Sequence, residues 1–208
     1  MWLTDKIAFP DYKFTTKDGV IALGGDLSAK RLVFAYKNGI FPWFSEGEPI
    51  VWYCPRERMV LFPDEIKISK SMRKVIRKKE FLITENKAFE AVIYNCKTIN
   101  RKDGLGTWIT NAMEEAYINL HNIGVVKSIE VWQGDNLVGG LYGLEINGVF
   151  CGESMFSKVA NASKLAFIHL AQHKNYQLID CQIYNSHLAS LGAKEISRDL
   201  FLKILKRS

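Results

Sequence analysis

The dipeptide Asn147-Gly148 lies between two long, apolar-rich runs, Leu137–Ile146 and Val149–Phe156, and constrains the fold more than any other feature. Both residue types tolerate the positive φ that the tightest hairpin turn demands, so the two runs should pair as antiparallel strands. Gly134-Asp135 joins Ser128–Gln133 to the first of them, which extends the hairpin to a meander. A helix from Ala162 to His173 and a short buried strand, Leu178–Gln182, should follow. Such a strand–helix–strand crossover is expected to be right-handed.

Helices are expected before the meander. Phe89, Val92, Ile93 and Cys96 share one helical face, as do Met113, Ala116, Tyr117 and Leu120 behind a Thr110 cap, with Gly124 just past the end. Residues 67–79 hold seven Lys or Arg and no acid. Met72, Val75 and Ile76 follow helical spacing there, which leaves Lys70, Arg73, Lys74, Arg77 and Lys78 for the opposite face, either as a solvated surface or as contacts to a polyanion. The first sixty residues have another texture. Residues 23–27 read as a loop, Ser28 caps a helix running to Gly39, residues 39–44 read as a turn, and strands are expected near Ile50–Cys54 and Met59–Phe62. A final helix should bury Leu200, Phe201, Ile204 and Leu205. The layout predicts a small N-terminal α+β domain over residues 1–63 and an α/β domain of acyltransferase-like organisation over residues 64–208.

The composition fits a soluble globular chain. With 208 residues, 48% of them hydrophobic, a sizeable core can be buried. No basic segment leads into an apolar one at the start, and no apolar run approaches the ~20 residues of a membrane span, so a cytoplasmic protein with no membrane association is expected. Cys54, Cys96, Cys151 and Cys181 form no C-x-x-C pair and read as reduced core residues. A net charge of +6 is compatible with a polyanionic partner.

Several catalytic signatures are absent from the sequence: a phosphate loop, H-E-x-x-H and G-x-S-x-G. His169 and His173 have metal-like spacing but lack an intervening Glu or an evident third ligand, so no metal is expected. Residues 157–164 before the 162–173 helix contain no glycine, which argues against a coenzyme A pyrophosphate loop. Three constellations remain. Asp180 and Gln182 share one face of a core strand, where an unpaired carboxylate is costly, and Asn185 could hold that carboxylate. The pair is either catalytic or a structural pin. Glu153, in Cys151–Phe156, is either a site carboxylate or a solvent-facing strand residue, and Gly152 lets backbone approach closely. Trp43, Trp52, Tyr53 and Trp108 either cover a core or offer platforms on which a base stacks.

The strings Phe41-Pro-Trp-Phe44, Gly106-Thr-Trp-Ile-Thr110, Ser128-Ile-Glu-Val-Trp132, Gly139-Gly-Leu-Tyr-Gly143, Phe150-Cys-Gly-Glu-Ser-Met-Phe-Ser157, Asn161-Ala-Ser-Lys164, Ile179-Asp-Cys-Gln182 and His187-Leu-Ala-Ser-Leu-Gly-Ala193 resemble the leucyl/phenylalanyl-tRNA–protein transferases, in that family's order across residues 41 to 193. The resemblance implies an acetyltransferase-like (GNAT-type) catalytic domain in a bacterial cytoplasmic enzyme. It would move Leu, Phe and weakly Met from aminoacyl-tRNA to proteins that begin with Arg or Lys, marking them for degradation. Carried over by motif, Asp180 is implied as the catalytic carboxylate with Gln182 as its partner and Asn185 orienting it. Glu153 is a further candidate, for contact with the basic acceptor residue. Leu141, where the family often has Met, joins Phe150, Gly152, Met155, Phe167, Leu170 and Ile179 as the implied aminoacyl pocket. Trp108, with Trp43, would face the terminal adenosine, and the basic helix would meet tRNA phosphates. No cofactor is needed, because an aminoacyl ester is already activated, and a monomer is expected.

One tension accompanies these assignments: Ile179 and Asp180 should face opposite sides of their strand, yet both are placed in one site. Competing readings are a coenzyme A-dependent N-acetyltransferase, a tRNA-dependent ligase acting on a lipid-linked acceptor, and a non-enzymatic tRNA-binding module.

Overall fold

The computed structural model describes residues 1–99, 108–173 and 175–207. Its first part contains β1 (Trp2–Leu3), β2 (Val20–Gly24), α1 (Ala29–Lys37), β3 (Phe41–Pro42) and β4 (Val51–Tyr53). These strands form a four-stranded sheet in the order β1-β2-β4-β3. Ser28 starts α1 by accepting the Arg31 amide. Two expectations change here. Val20–Gly24, partly read as loop, pairs with β4, and Phe41–Pro42, read as turn, forms a two-residue strand on the other side of β4. Trp52 stands between the two, its backbone opposite Ala22 on one side and Pro42 on the other, and its fully buried indole donates to the Gly24 carbonyl at 2.8 Å.

The chain continues through β5 (Glu57–Leu61), α2 (Lys70–Lys78), β6 (Leu82–Glu85), α3 (Phe89–Thr98) and α4 (Asn111–Asn122). The meander follows as β7 (Val126–Gln133), β8 (Asn136–Ile146) and β9 (Val149–Ser157), then α5 (Ala162–His173), β10 (Leu178–Gln182), α6 (Ser186–Ser190), β11 (Lys194–Ser197) and α7 (Arg198–Leu205). The second sheet has seven strands in the order β11-β5-β10-β9-β8-β7-β6. Asn147 and Gly148 take φ of 50° and 67°, as the two-residue hairpin requires, and Ile146 pairs with Val149. After the crossover through α5, β10 lies parallel to β9. The second sheet with its helices is a mixed α/β unit.

The boundary expected at residue 63 falls on the far side of β5, which the hydrogen bonding places inside the second sheet between β11 and β10. Burial on both faces accounts for this. Met59 and Leu61 pack on the α5 side of the sheet, whereas Val60 packs in the core on the opposite side. That opposite core is continuous with the N-terminal part, joining Leu32, Tyr36, Phe41 and Trp52 to Val60, Tyr142 and Phe201.

The Gly139-Gly-Leu-Tyr-Gly143 string has a steric cause. A Cβ at Gly139 would lie 2.5 Å from that of Ala162 in α5, and one at Gly143 would lie 2.3 Å from the Cys151 carbonyl oxygen. The second neighbour is backbone and has little room to retreat. Gly143→Ala should therefore cost about 1–3 kcal/mol, the range of overpacked interiors. A urea unfolding midpoint equal to that of the wild type would show that β8 and β9 can move apart freely.

Candidate active site

The parallel ladder between β9 and β10 ends at Cys151–Asp180, while β9 runs on to Ser157. A cavity of about 600 Å³ lies at this parting. Its lining includes all seven apolar-pocket residues expected from the sequence: Leu141, Phe150, Gly152, Met155, Phe167, Leu170 and Ile179. Trp43, Trp108, Glu153, Gln182 and Asn185 also line it. The Ile179–Asp180 tension is resolved by the same parting. Ile179 belongs to the core on the α5 side, whereas Asp180 points to the opposite side, and the cavity spans both at the strand end.

Asp180 also lines the cavity, beside Gln182. It is fully buried, and both carboxylate oxygens are engaged. Arg58 Nε donates to Oδ1 at 2.8 Å and Arg58 Nη2 to Oδ2 at 2.6 Å, while the Gln182 amide donates to Oδ1 at 2.9 Å. A carboxylate held by a bidentate guanidinium is poorly placed to meet an incoming amine. Asn185 does not orient it: the Asn185 side chain instead caps α6 by accepting the Leu188 amide at 3.2 Å. Arg58 occupies the role expected of Asn185. It was missed because Arg58-Met-Val-Leu reads as an ordinary strand. The signal available was parity, since an arginine that alternates with Met59 and Leu61 on a strand buried on both faces must point into a core.

Glu153, half-buried as a residue, is the second acidic side chain at the cavity. It sits at a register shift, because Tyr142 pairs with Ser154 while Gly143 pairs with Gly152. A bulge of this kind re-aims a side chain. Glu153 Oε1 accepts from Tyr36 at 2.7 Å and from Gln182 Nε2 at 2.8 Å, and Oε2 accepts from Tyr117 at 2.9 Å. The two tyrosine hydroxyls are themselves 2.5 Å apart. Burial pushes the Glu153 carboxyl up to about 8, the Asp180 charge adds to the rise, and the donated hydrogen bonds restrain it. Burial likewise pushes both tyrosines well above their ordinary value. Tyr36 and Tyr117 look like plain core positions in sequence. Only the tertiary structure brings their hydroxyls together.

Trp43 is 39% exposed, its ring 5.9 Å from that of Tyr53, and Trp108 packs half-buried on the core. Both therefore present part of an indole at the cavity. Gly106 and Thr107 of the Trp108 motif lie outside the described residues. The basic helix begins at Lys70, later than expected, because Ser69 accepts the Met72 amide and starts it there. Lys70, Arg73, Lys74, Arg77 and Lys78 are exposed, and Lys78 lies 3.3 Å from Glu80. They stand apart from the residues that line the cavity. His169 meets Glu85 at 2.9 Å and stacks on His173.

An apolar end that can hold a side chain, next to a carboxyl and carboxamide that can hold a nucleophile, suits an enzyme that transfers an acyl group. The chain belongs to the leucyl/phenylalanyl-tRNA–protein transferase family. The profile "Leucyl/phenylalanyl-tRNA protein transferase" matches residues 60–206, and that of the family's N-terminal domain matches residues 25–56. A transferase of this name from Flavobacterium psychrophilum is 58% identical over 99% of both chains. One from Flavobacterium johnsoniae is also 58% identical, over 99% of this chain and 98% of its own. One from Syntrophus aciditrophicus is 52% identical over 97% and 86%. Among solved structures, a GCN5-related N-acetyltransferase from Kribbella flavida is 10% identical, with a TM-score of 0.39, over 77% of this chain and 58% of its own.

The raised Glu153 carboxyl has a consequence for stability. An unfolded Glu releases its proton near 4.5, whereas the folded one keeps it up to about 8. Its contribution is therefore fully present below about pH 4.5 and is lost as pH rises toward 8. Glu153→Gln should remove that decline, so its urea midpoint should gain on the wild type between about pH 5 and pH 8.5. A difference that does not vary with pH would contradict the raised carboxyl.

Proposed function

We propose that this protein transfers leucine or phenylalanine from aminoacyl-tRNA to the α-amino group of proteins that begin with Arg or Lys. The observation that carries the reading is one cavity joining an apolar end, around Met155 and Ile179, to the Glu153–Gln182 pair. The leucyl or phenylalanyl side chain occupies the apolar end. A cavity shaped for a chain unbranched at Cβ disfavours Val and Ile by about 1–3 kcal/mol and accepts Met weakly. The terminal adenosine lies against Trp108 and Trp43, where stacking contributes about 1–3 kcal/mol per base.

The acceptor nitrogen attacks the ester carbonyl, and a tetrahedral intermediate forms. The bond from that carbon to the ribose oxygen then breaks. The ammonium proton passes to Glu153 and from there to the departing oxygen. Glu153 is suited to this relay because its value of about 8 lies close to the roughly 7.7–8.0 of an α-amine. Gln182, hydrogen-bonded to Glu153, orients the nitrogen. A cationic first side chain beside Glu153 favours its ionised form, which links acceptor choice to the proton acceptor. Positioning supplies the rest of the rate.

The exposed face of α2 supports contact with tRNA phosphates, which carry little base information and so suit several leucine and phenylalanine tRNAs. The family resemblance supports a cytoplasmic monomer whose product is marked for degradation. Among the described residues, no helix is long and apolar enough to cross a membrane.

Two measurements test this. With Leu-tRNA labelled in the leucine, a protein starting with Arg and no ATP, label should pass to the protein. Glu153→Gln should slow this about 10²–10⁴-fold. Absence of label on the protein overturns the reading, and an unaffected Glu153→Gln rate overturns the role of Glu153. Reversing Arg73, Lys74 and Arg77 to Glu should weaken binding of whole tRNA and flatten its salt dependence while sparing a minimal aminoacyl-adenosine donor. Equal damage to both donors would make α2 structural, and damage to neither would place the tRNA body elsewhere.

A further inference from the structure

Gln182 is a non-glycine residue with φ of 65°, at a register shift where β10 pairs with β5. Left-handed backbone is disfavoured for a side chain of this size, so something must hold it there. The amide of Gln182 donates to Asp180 Oδ1 at 2.9 Å, and Asp180 is in turn gripped by Arg58. Arg58 is itself locked. Its guanidinium carbon lies 4.6 Å from the Phe41 ring centre and 4.7 Å from that of Phe201, and Nη1 donates to the Gly39 carbonyl at 3.2 Å. The order of dependence runs from Arg58 to Asp180, then to the Gln182 backbone, then to a carboxamide held 2.8 Å from Glu153 across the cleft.

We propose that Arg58 is a positioning residue for the transfer: with Asp180 it clamps Gln182 in the left-handed conformation that aims its carboxamide at Glu153. Asp180 then works from behind the site and does not itself take the proton. The proposal rests on the transfer reading for its kinetic consequences, while the clamp itself can be observed without turnover.

The test uses the full chain in four forms: wild type, Arg58→Lys, Asp180→Asn and the double variant Arg58→Met with Asp180→Leu. Replacing a buried ion pair by apolar groups of similar size is often neutral for stability, so the double variant separates aiming from folding. It should melt close to the wild type, keep its KM for Leu-tRNA within about threefold and lose about 10²-fold in kcat, the scale of a displaced reacting group. Arg58→Lys should fall between, because an ammonium cannot grip both oxygens. Asp180→Asn keeps the acceptor for the Gln182 amide and should lose no more than about tenfold, whereas loss of a general base costs ~10²–10⁴. Hydrogen exchange at the Gln182 amide gives a readout independent of activity. It should be slow in the wild type and faster in the double variant, or in Arg58→Lys if the double variant does not fold.

A folded double variant with wild-type kcat, or one that loses activity through KM alone, overturns the proposal. So does a 10³-fold loss of kcat in an Asp180→Asn protein that still melts as a folded chain, which would make Asp180 the proton acceptor. Unchanged exchange at Gln182 also overturns it, whatever the kinetics. If the wild type transfers nothing while Gln182 exchange responds to Arg58, the transfer reading fails and the clamp stands.

Discussion

One buried ion pair joins the parts of the structure that meet at the cleft. Arg58 and Asp180 are 2% and 0% exposed and joined by two short hydrogen bonds. Neither charge could remain in that interior alone, since breaking such a pair typically costs about 3–5 kcal/mol. Arg58 lies on β5, Asp180 on β10, its stacking partners Phe41 and Phe201 on β3 and α7, and its third acceptor Gly39 at the end of α1. One guanidinium therefore fastens the small N-terminal sheet and the last helix to the strand that carries Gln182. The burial of β5 on both faces follows from the same arrangement. The strand places Arg58 and Val60 in one core and Met59 and Leu61 in the other.

The cleft is a second consequence of strand geometry. β9 and β10 pair only as far as Cys151 and Asp180, and beyond that point the sheet opens. Apolar residues from the α5 side and polar ones from the opposite side then meet at a single cavity, which an intact sheet would keep apart. Glu153 comes to the opening through its bulge, and Gln182 through its left-handed backbone. Local irregularities of this kind concentrate where a side chain must be aimed.

The long-range pattern of the chain was legible in its sequence wherever one period or one turn residue carried the information. The Asn147-Gly148 hairpin, α3, α4, α5 and β10 lie where alternation, helical spacing and caps put them. The apolar residues expected to line a pocket meet in one cavity, because their motif strings lie on β8, β9, α5 and β10, which form its walls. What escaped is tertiary. Nothing local distinguishes β5 as a strand of the second sheet, because Pro55 and Pro63 bracket it equally well on either side of a boundary. Asp180 and Asn185 lie close in sequence, and proximity suggested a partnership, whereas the partner is 122 positions away in Arg58. The hydroxyls of Tyr36 and Tyr117 were hidden behind apolar periodicity. Burial and partners are the reason that the proposed proton transfer is assigned to Glu153 and not to Asp180.

In the proposed transfer, the cavity at the β9–β10 parting holds the aminoacyl end of the donor with Glu153 and Gln182 beside the reacting carbon. A crystal structure with a non-hydrolysable leucyl-adenosine analogue tests it directly. The leucyl side chain should lie among Met155, Phe167 and Ile179, the adenine against Trp108, and the carbonyl next to the Gln182 carboxamide. A leucyl group bound outside the cavity, or a carbonyl turned away from Glu153 and Gln182 while the side chain is seated, would contradict the account.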